Sequence, residues 1–142
     1  MSSVLRSTTI GEVMEKDVVT IDESASAADA VQRMLDRKVW SVLVTRKGLP
    51  VGVVTERDCV KRCFALGLDD KTTPVSKLMS SPLVTVQPDA SVGVALSLMA
   101  KKQIRRLYVV DGGKVVGRVT QTRMLSNTMN MFKSFNEAAT VI

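Results

Sequence analysis

Short runs of β-branched residues alternate in this chain with stretches where apolar positions return every three or four residues. Val18–Ile21 and Leu83–Val86 have the length and composition of strands. Cap chemistry follows each, Ser24-Ala25-Ser26 and Asp89-Ala90-Ser91. Helical spacing comes next: Ala27, Ala30, Val31, Met34 and Leu35 in one case, Val92, Ala95, Leu96 and Met99 in the other. Ser41–Thr45 and Leu107–Val110 predict second strands. They lead through the turn residues Arg46-Lys47-Gly48 and Asp111-Gly112-Gly113 to third strands at Val51–Val54 and Val115–Val119. Final helices start at Thr55 and Thr120, the first closed by Gly67. Short helical lead-ins, Ile10–Glu15 and Val75–Ser80, precede the two series.

The two series are one pattern written twice. Residues 10–60 align with residues 75–125 at a constant offset of 65, without a gap, and thirteen of the 51 pairs are identical. Met14 meets Met79, Met34 meets Met99, Gly52 meets Gly117 and Thr55 meets Thr120. A fixed period of this length marks two copies of one supersecondary unit, each too small to bury its apolar surface alone. The predicted fold class is α/β of the α+β type: two pseudo-symmetric β-α-β-β-α repeats packed as one module. The organisation read from the chain is repeat one at 10–67, a linker at 68–74, repeat two at 75–128, and a helical extension or tail at 129–142. In that tail Met129, Phe132 and Phe135 read as packing or an interface strip.

Charge separates the halves. Residues 1–70 carry ten Lys/Arg against eleven Asp/Glu, whereas residues 71–142 carry ten against three, so the net +6 resides in the second copy and the tail. A field of that sign attracts nucleotide phosphate, nucleic acid, acidic protein or anionic lipid, and is equally a solvated basic surface. No apolar run nears the roughly 20 residues of a membrane span, and the N-terminus lacks a signal peptide's apolar core. A cytoplasmic protein is expected. Cys59 and Cys63 share a helix face, and Cys59 aligns with Met124, which marks a core position. With no histidine and no third thiol, a metal site is not expected. Nor is there a catalytic constellation.

The candidate chemistry lies where the copies differ. Copy one reads Gly52-Val53-Val54-Thr55-Glu56-Arg57-Asp58 at a strand-to-helix junction. Thr55 and Asp58 have the spacing of a capping box, whose role is to stabilise a helix start. The same geometry offers free N–H groups and a hydroxyl to a phosphate, and a carboxylate to the hydroxyls of a ribose. Gly52 would let a ligand approach the backbone. Copy two reads Gly117-Arg118-Val119-Thr120-Gln121-Thr122-Arg123. Arg123 replaces the aspartate and, having donors only, cannot accept from a ribose. Before the second strand, copy two has Arg105-Arg106 where copy one has Trp40-Ser41. Adjacent arginines at such a corner grip phosphate in a forked geometry, or form a solvated turn.

The repeat, the G-h-x-T-x-x-D junction and the arginine-bearing element before strand two resemble the paired cystathionine-β-synthase (CBS) domain, or Bateman module, from about Ile10 to Ser126. The resemblance implies a regulatory module binding an adenosine-containing ligand: AMP, ADP or ATP first, NAD or S-adenosylmethionine second. Assembly as disc-like homodimers is implied too. Carried over, the ligand site comprises Val53, Thr55, Arg57 and Asp58 of copy one. From copy two it takes Pro82, Leu83 and Val84 around the base, and Arg105 and Arg106 on phosphate, beside Tyr108. Family members often have histidine-arginine and then proline at that corner. A reciprocal site of Trp40, Ser41, Thr120 and Arg123 would lack both carboxylate and arginine pair, and is the degraded one. The ligand would signal to a regulated protein whose identity the sequence does not carry. Three rival readings stand: a nucleic-acid-binding protein using the basic half, a structural dimerisation module with empty clefts and, ranked last, an enzyme acting on nucleotides.

Overall fold

The computed structural model describes residues 8–131. Two compact units carry one topology. One spans Val18–Val84; the other joins the residues before Val18 to those from Thr85 onward.

In the Val18–Val84 unit, β1 (Thr20–Asp22) runs parallel to β2 (Ser41–Arg46), and β2 runs antiparallel to β3 (Leu49–Thr55), in the order β1-β2-β3. Leu43 lies between Thr20 and Val53 in register. The crossover is α2 (Ala27–Arg37). Ser26 starts it with a full capping box: its Oγ accepts from Asp29 N at 3.1 Å, and Asp29 Oδ2 accepts from Ser26 N at 3.2 Å. Lys38 ends it in the left-handed conformation. Ala27, Ala30 and Met34 of α2 pack on Val19, Ile21, Val42, Val44 and Val54 of the sheet. Val31 and Leu35, expected on that stripe, point to solvent, so the buried face is narrower than the periodicity predicts. α3 (Glu56–Cys59) runs on into a π-helical turn, Val60–Phe64, where Ala65 N–H reaches Val60 O at 2.8 Å. Cys59 and Cys63 both face the core, as the alignment of Cys59 with Met124 predicts.

The second unit repeats this with β4 (Thr85–Val86), α4 (Val92–Lys102), β5 (Arg106–Asp111), β6 (Lys114–Thr120) and α5 (Gln121–Met131). Its sheet order is β4-β5-β6. Ser91 caps α4 by accepting from Val94 N at 3.1 Å, without a returning carboxylate. Leu107, Val109, Val119 and Met124 are fully buried. The side chains of Met129, Phe132 and Phe135 lie outside the described residues.

The lead-ins are exchanged. The one-turn helix α1 (Ile10–Val13) belongs to copy one in sequence but packs in the unit of copy two, where Ile10 N donates to Ala90 O and Gly11 N to Pro88 O, each at 2.8 Å. The copy-two lead-in, a 3₁₀ turn at Val75–Lys77, packs in the unit of copy one, with Val75 N donating to Ala25 O at 2.8 Å. The glycines shared by the copies make room for it. A Cβ on Gly52 would stand 2.8 Å from Ser80 O, and one on Gly117 would stand 2.9 Å from Glu15 O, with the sulfurs of Met79 and Met14 as close. The expectation that Gly52 admits a ligand is therefore corrected: what approaches it is the exchanged lead-in.

Candidate functional site

β3 delivers Thr55 to the start of α3, and the box forms there. Thr55 Oγ1 accepts from Asp58 N at 3.0 Å, and Asp58 Oδ2 accepts from Thr55 N at 2.9 Å. The stabilising role of this pair is thus real. It does not exhaust the groups. A carboxylate has about four acceptor positions and a threonine hydroxyl also donates. The Asp58 side chain is 12% exposed, and its Oδ1 stands 4.0 Å from Arg62 Nε.

The exchanged lead-in supplies the next residues. Val53 N donates to Ser80 O at 3.1 Å and Ser80 N to Val53 O at 2.8 Å. Arg62 Nη1 donates to the carbonyls of Leu78 and Met79, each at 3.0 Å. These bonds hold the chain leading to Pro82 against Val53, two residues from Thr55. Pro82 is exposed, and Leu83 and Val84 are half-buried. The copy-one motif and the copy-two segment assigned to the base thus share one unit, though 27 residues separate Thr55 from Pro82 in the chain. Arg57 is exposed on the first turn of α3. Trp40 and Ser41, assigned to the degraded site, sit beside this junction within the unit: Glu56 N donates to Trp40 O at 3.1 Å, and Ser41 lies opposite Thr55. Trp40 is exposed and Ser41 buried.

In the second unit Thr120 Oγ1 accepts from Arg123 N at 3.1 Å. Half of the box survives, since arginine cannot return the bond. Arg105 and Arg106 stand at this junction. Gln121 N donates to Arg105 O at 2.8 Å, and Arg106 lies opposite Thr120. Arg105 is exposed and Arg106 half-buried. Tyr108 is 2% exposed, between Thr85 of β4 and Arg118 of β6, so the structure places it in the sheet interior.

Two residues were not singled out from the sequence. Arg62 stands one helical turn past Asp58, a spacing that could have shown it. Arg118 replaces Val53 in the alignment, and that charge difference was equally visible. A groove of about 460 Å³ lies between β1 and α2 and includes none of Thr55, Asp58 or Pro82. Its polar groups are engaged: Arg33 Nη1 donates to Thr20 O at 2.6 Å, and Gln32 Nε2 donates to Asp36 Oδ1 at 2.9 Å. It is a poorer candidate than the Thr55–Asp58 junction. Burial, with the neighbouring Asp58 carboxylate and Cys63 behind it, pushes the Cys59 thiol up to about 11. Among the described residues no cluster of three His, Cys, Asp or Glu is placed to hold a metal ion. Among them, too, no helix is long and apolar enough to cross a membrane.

Known proteins share this architecture. The CBS domain family model matches residues 10–64 and again 75–129. The CBS domain-containing protein YhcV of Bacillus subtilis is 35% identical over 121 residues, covering 85% of this chain and 86% of its own length. An uncharacterized protein of Methanopyrus kandleri is 37% identical over 123 residues, again 85% of this chain. The match covers 63% of that relative, just under two thirds of its length. The solved structure of a Burkholderia ambifaria protein with CBS domains superposes with a TM-score of 0.84. It covers 95% of this chain and 99% of that one, at 23% identity, a likeness of fold. CBS pairs are generally regulatory, ligand-binding modules rather than catalysts. The chain belongs to the CBS domain family and carries two copies of the domain.

Proposed function

We propose that this CBS pair binds an adenine nucleotide (AMP, ADP or ATP) and passes its occupancy to a regulated partner protein, with no chemistry of its own. The observation that carries the reading is the Thr55–Asp58 junction. Of the two junctions where a third strand meets a helix, it alone has a carboxylate, and that carboxylate keeps acceptor positions beyond its capping bond. A ribose offers two adjacent hydroxyls as donors, which suits a fixed carboxylate. Val53 and the segment Pro82–Val84 offer the apolar surface a base needs. The assignment of phosphate to Arg105 and Arg106 rests on the resemblance, supported by the donor chemistry of two adjacent guanidinium groups.

Mass spectrometry of small molecules released by denaturing the purified protein tests the reading. An adenine nucleotide in near-stoichiometric amount is expected. For protein freed of ligand, AMP at about 100 times its dissociation constant should stabilise the fold by roughly 2.7 kcal/mol. That corresponds to a melting shift of about 4–10 °C for a domain of this size. Adenosine should shift it less. Removing both arginines, by Arg105→Ala with Arg106→Ala, should erase the difference. No shift with any adenine nucleotide would refute the reading.

A further inference from the structure

The bridge that fixes Val53 to Ser80 has a counterpart in the second unit, and its side chain is different. At the offset of 65, Val53 corresponds to Arg118, Ser80 to Glu15 and Pro82 to Asp17. The backbone pairing is the same: Arg118 N donates to Glu15 O and Glu15 N to Arg118 O, both at 2.9 Å. In the first unit the side chain at this bridge is a short valine. In the second it is an arginine that lies back along the lead-in. Arg118 Nη2 is 2.7 Å from Glu15 Oε2, and Arg118 Nε donates to Asp17 O at 3.3 Å. The Arg118 side chain is 16% exposed and that of Glu15 37%.

The guanidinium therefore lies along Glu15–Asp17, which corresponds to Ser80–Pro82; it starts from the counterpart of Val53 and ends on the counterpart of Pro82, two of the residues on which the proposed function seats the ligand base. A planar group on a flexible stem is well suited to fill that place, and two bonds to one segment hold it there. We infer that Arg118 is a built-in occupant of the second ligand position: it excludes a nucleoside there, and does so independently of the aspartate-to-arginine change at Arg123. The inference rests on the reading of Val53, Thr55 and Asp58 as a nucleotide site. It identifies Arg118 as a residue that sets how many nucleotides one chain takes.

Calorimetric titration with AMP tests this on three proteins. The natural chain should take one nucleotide. Arg123→Asp restores the carboxylate but leaves Arg118 in place, and should still take one. Arg118→Val combined with Arg123→Asp should take two, the second more weakly because no arginine pair is assigned to that position. A second site in Arg123→Asp alone would overturn the inference. So would a single site in the double variant, once its circular dichroism and melting match the natural chain. Absence of any AMP binding by the natural chain would instead refute the proposed function. The occupant itself is then read without ligand, by proton NMR of arginine side chains. Arg118 Nε–H should exchange with water more slowly than that of exposed Arg57, and should shift in Glu15→Gln. Exchange as fast as Arg57, or no shift, would overturn the inference on its own.

Discussion

Asp58 carries two roles at once, and its substitution has to be read on two axes. As the returning half of the capping box it stabilises α3; its loss should cost on the order of 0.5–2 kcal/mol. As the carboxylate facing the proposed ribose, its loss should weaken nucleotide binding at least tenfold. Asp58→Asn separates the two, because asparagine keeps an acceptor for Thr55 N–H and loses the charge. Unfolding by urea is expected to show the smaller stability loss, and calorimetry the larger binding loss. Gly52 is held by a different constraint. A methyl group there meets the Ser80 carbonyl at 2.8 Å, which is backbone and cannot swing aside. Gly52→Ala should destabilise the fold by roughly 1–3 kcal/mol, measured by chemical denaturation. A neutral result would mean that the lead-in does not press on β3. Cys59 gives a pH signature. Its ordinary value of 9.0 rises to about 11 in the fold. The folded state thus holds the thiol proton more tightly than the unfolded chain. Its contribution to stability is present in full below pH 9 and is lost as pH rises towards 11. Denaturation midpoints across that window should fall, and Cys59→Ala should flatten the fall.

The elements were readable from the chain to different depths. Strand and helix positions followed from β-branched runs, caps and glycine turns because those signals are local. Ser26, Ser91, Thr55 and Thr120 all cap where their side-chain chemistry places them. The alignment also located the Thr55–Asp58 junction and its altered copy at Thr120–Arg123. It did not reveal the exchange of lead-ins. Glu15 and Arg118 are 103 residues apart, and no periodicity within either segment records their pairing. Met14, Met79 and Gly117 were visible only as identities, and Gly52 suggested room for a ligand; the reason for all four is the contact between lead-in and third strand. Val31 and Leu35 were assigned to the core by spacing, yet small Ala27 and Ala30 bring α2 close on a narrower stripe. Arg62 ties the exchanged segment to α3 through two carbonyls. Because its side chain is half exposed, Arg62→Ala should cost only about 0.5–1.5 kcal/mol. Amide exchange should rise most at Val53 and Ser80, the bridge it supports. Uniform protection at those amides would argue that the bridge holds without it.

At the scale of the whole molecule, two features call for a partner. Phe64 is 83% exposed, and Val60, Leu66, Leu35 and Trp40 are exposed with it. All five belong to the Val18–Val84 unit. Apolar surface of this kind favours association, and a closed twofold is the commonest solution. The chain is expected to be a homodimer at micromolar concentration, with Phe64→Ser shifting it towards monomer; light scattering that finds the natural chain monomeric would contradict this. The second feature is the inequality of the two units. One ends its third strand in a carboxylate-bearing cap beside Val53. The other ends it at Thr120, with Arg123 in the helix that follows and Arg118 folded over the lead-in. Calorimetric titration of AMP into the ligand-free natural chain and into Asp58→Asn tests the resulting claim most directly. One nucleotide per chain, with binding lost or weakened at least tenfold in Asp58→Asn, is the predicted result. Two equivalent sites per chain, or an affinity unchanged by Asp58→Asn, would contradict it.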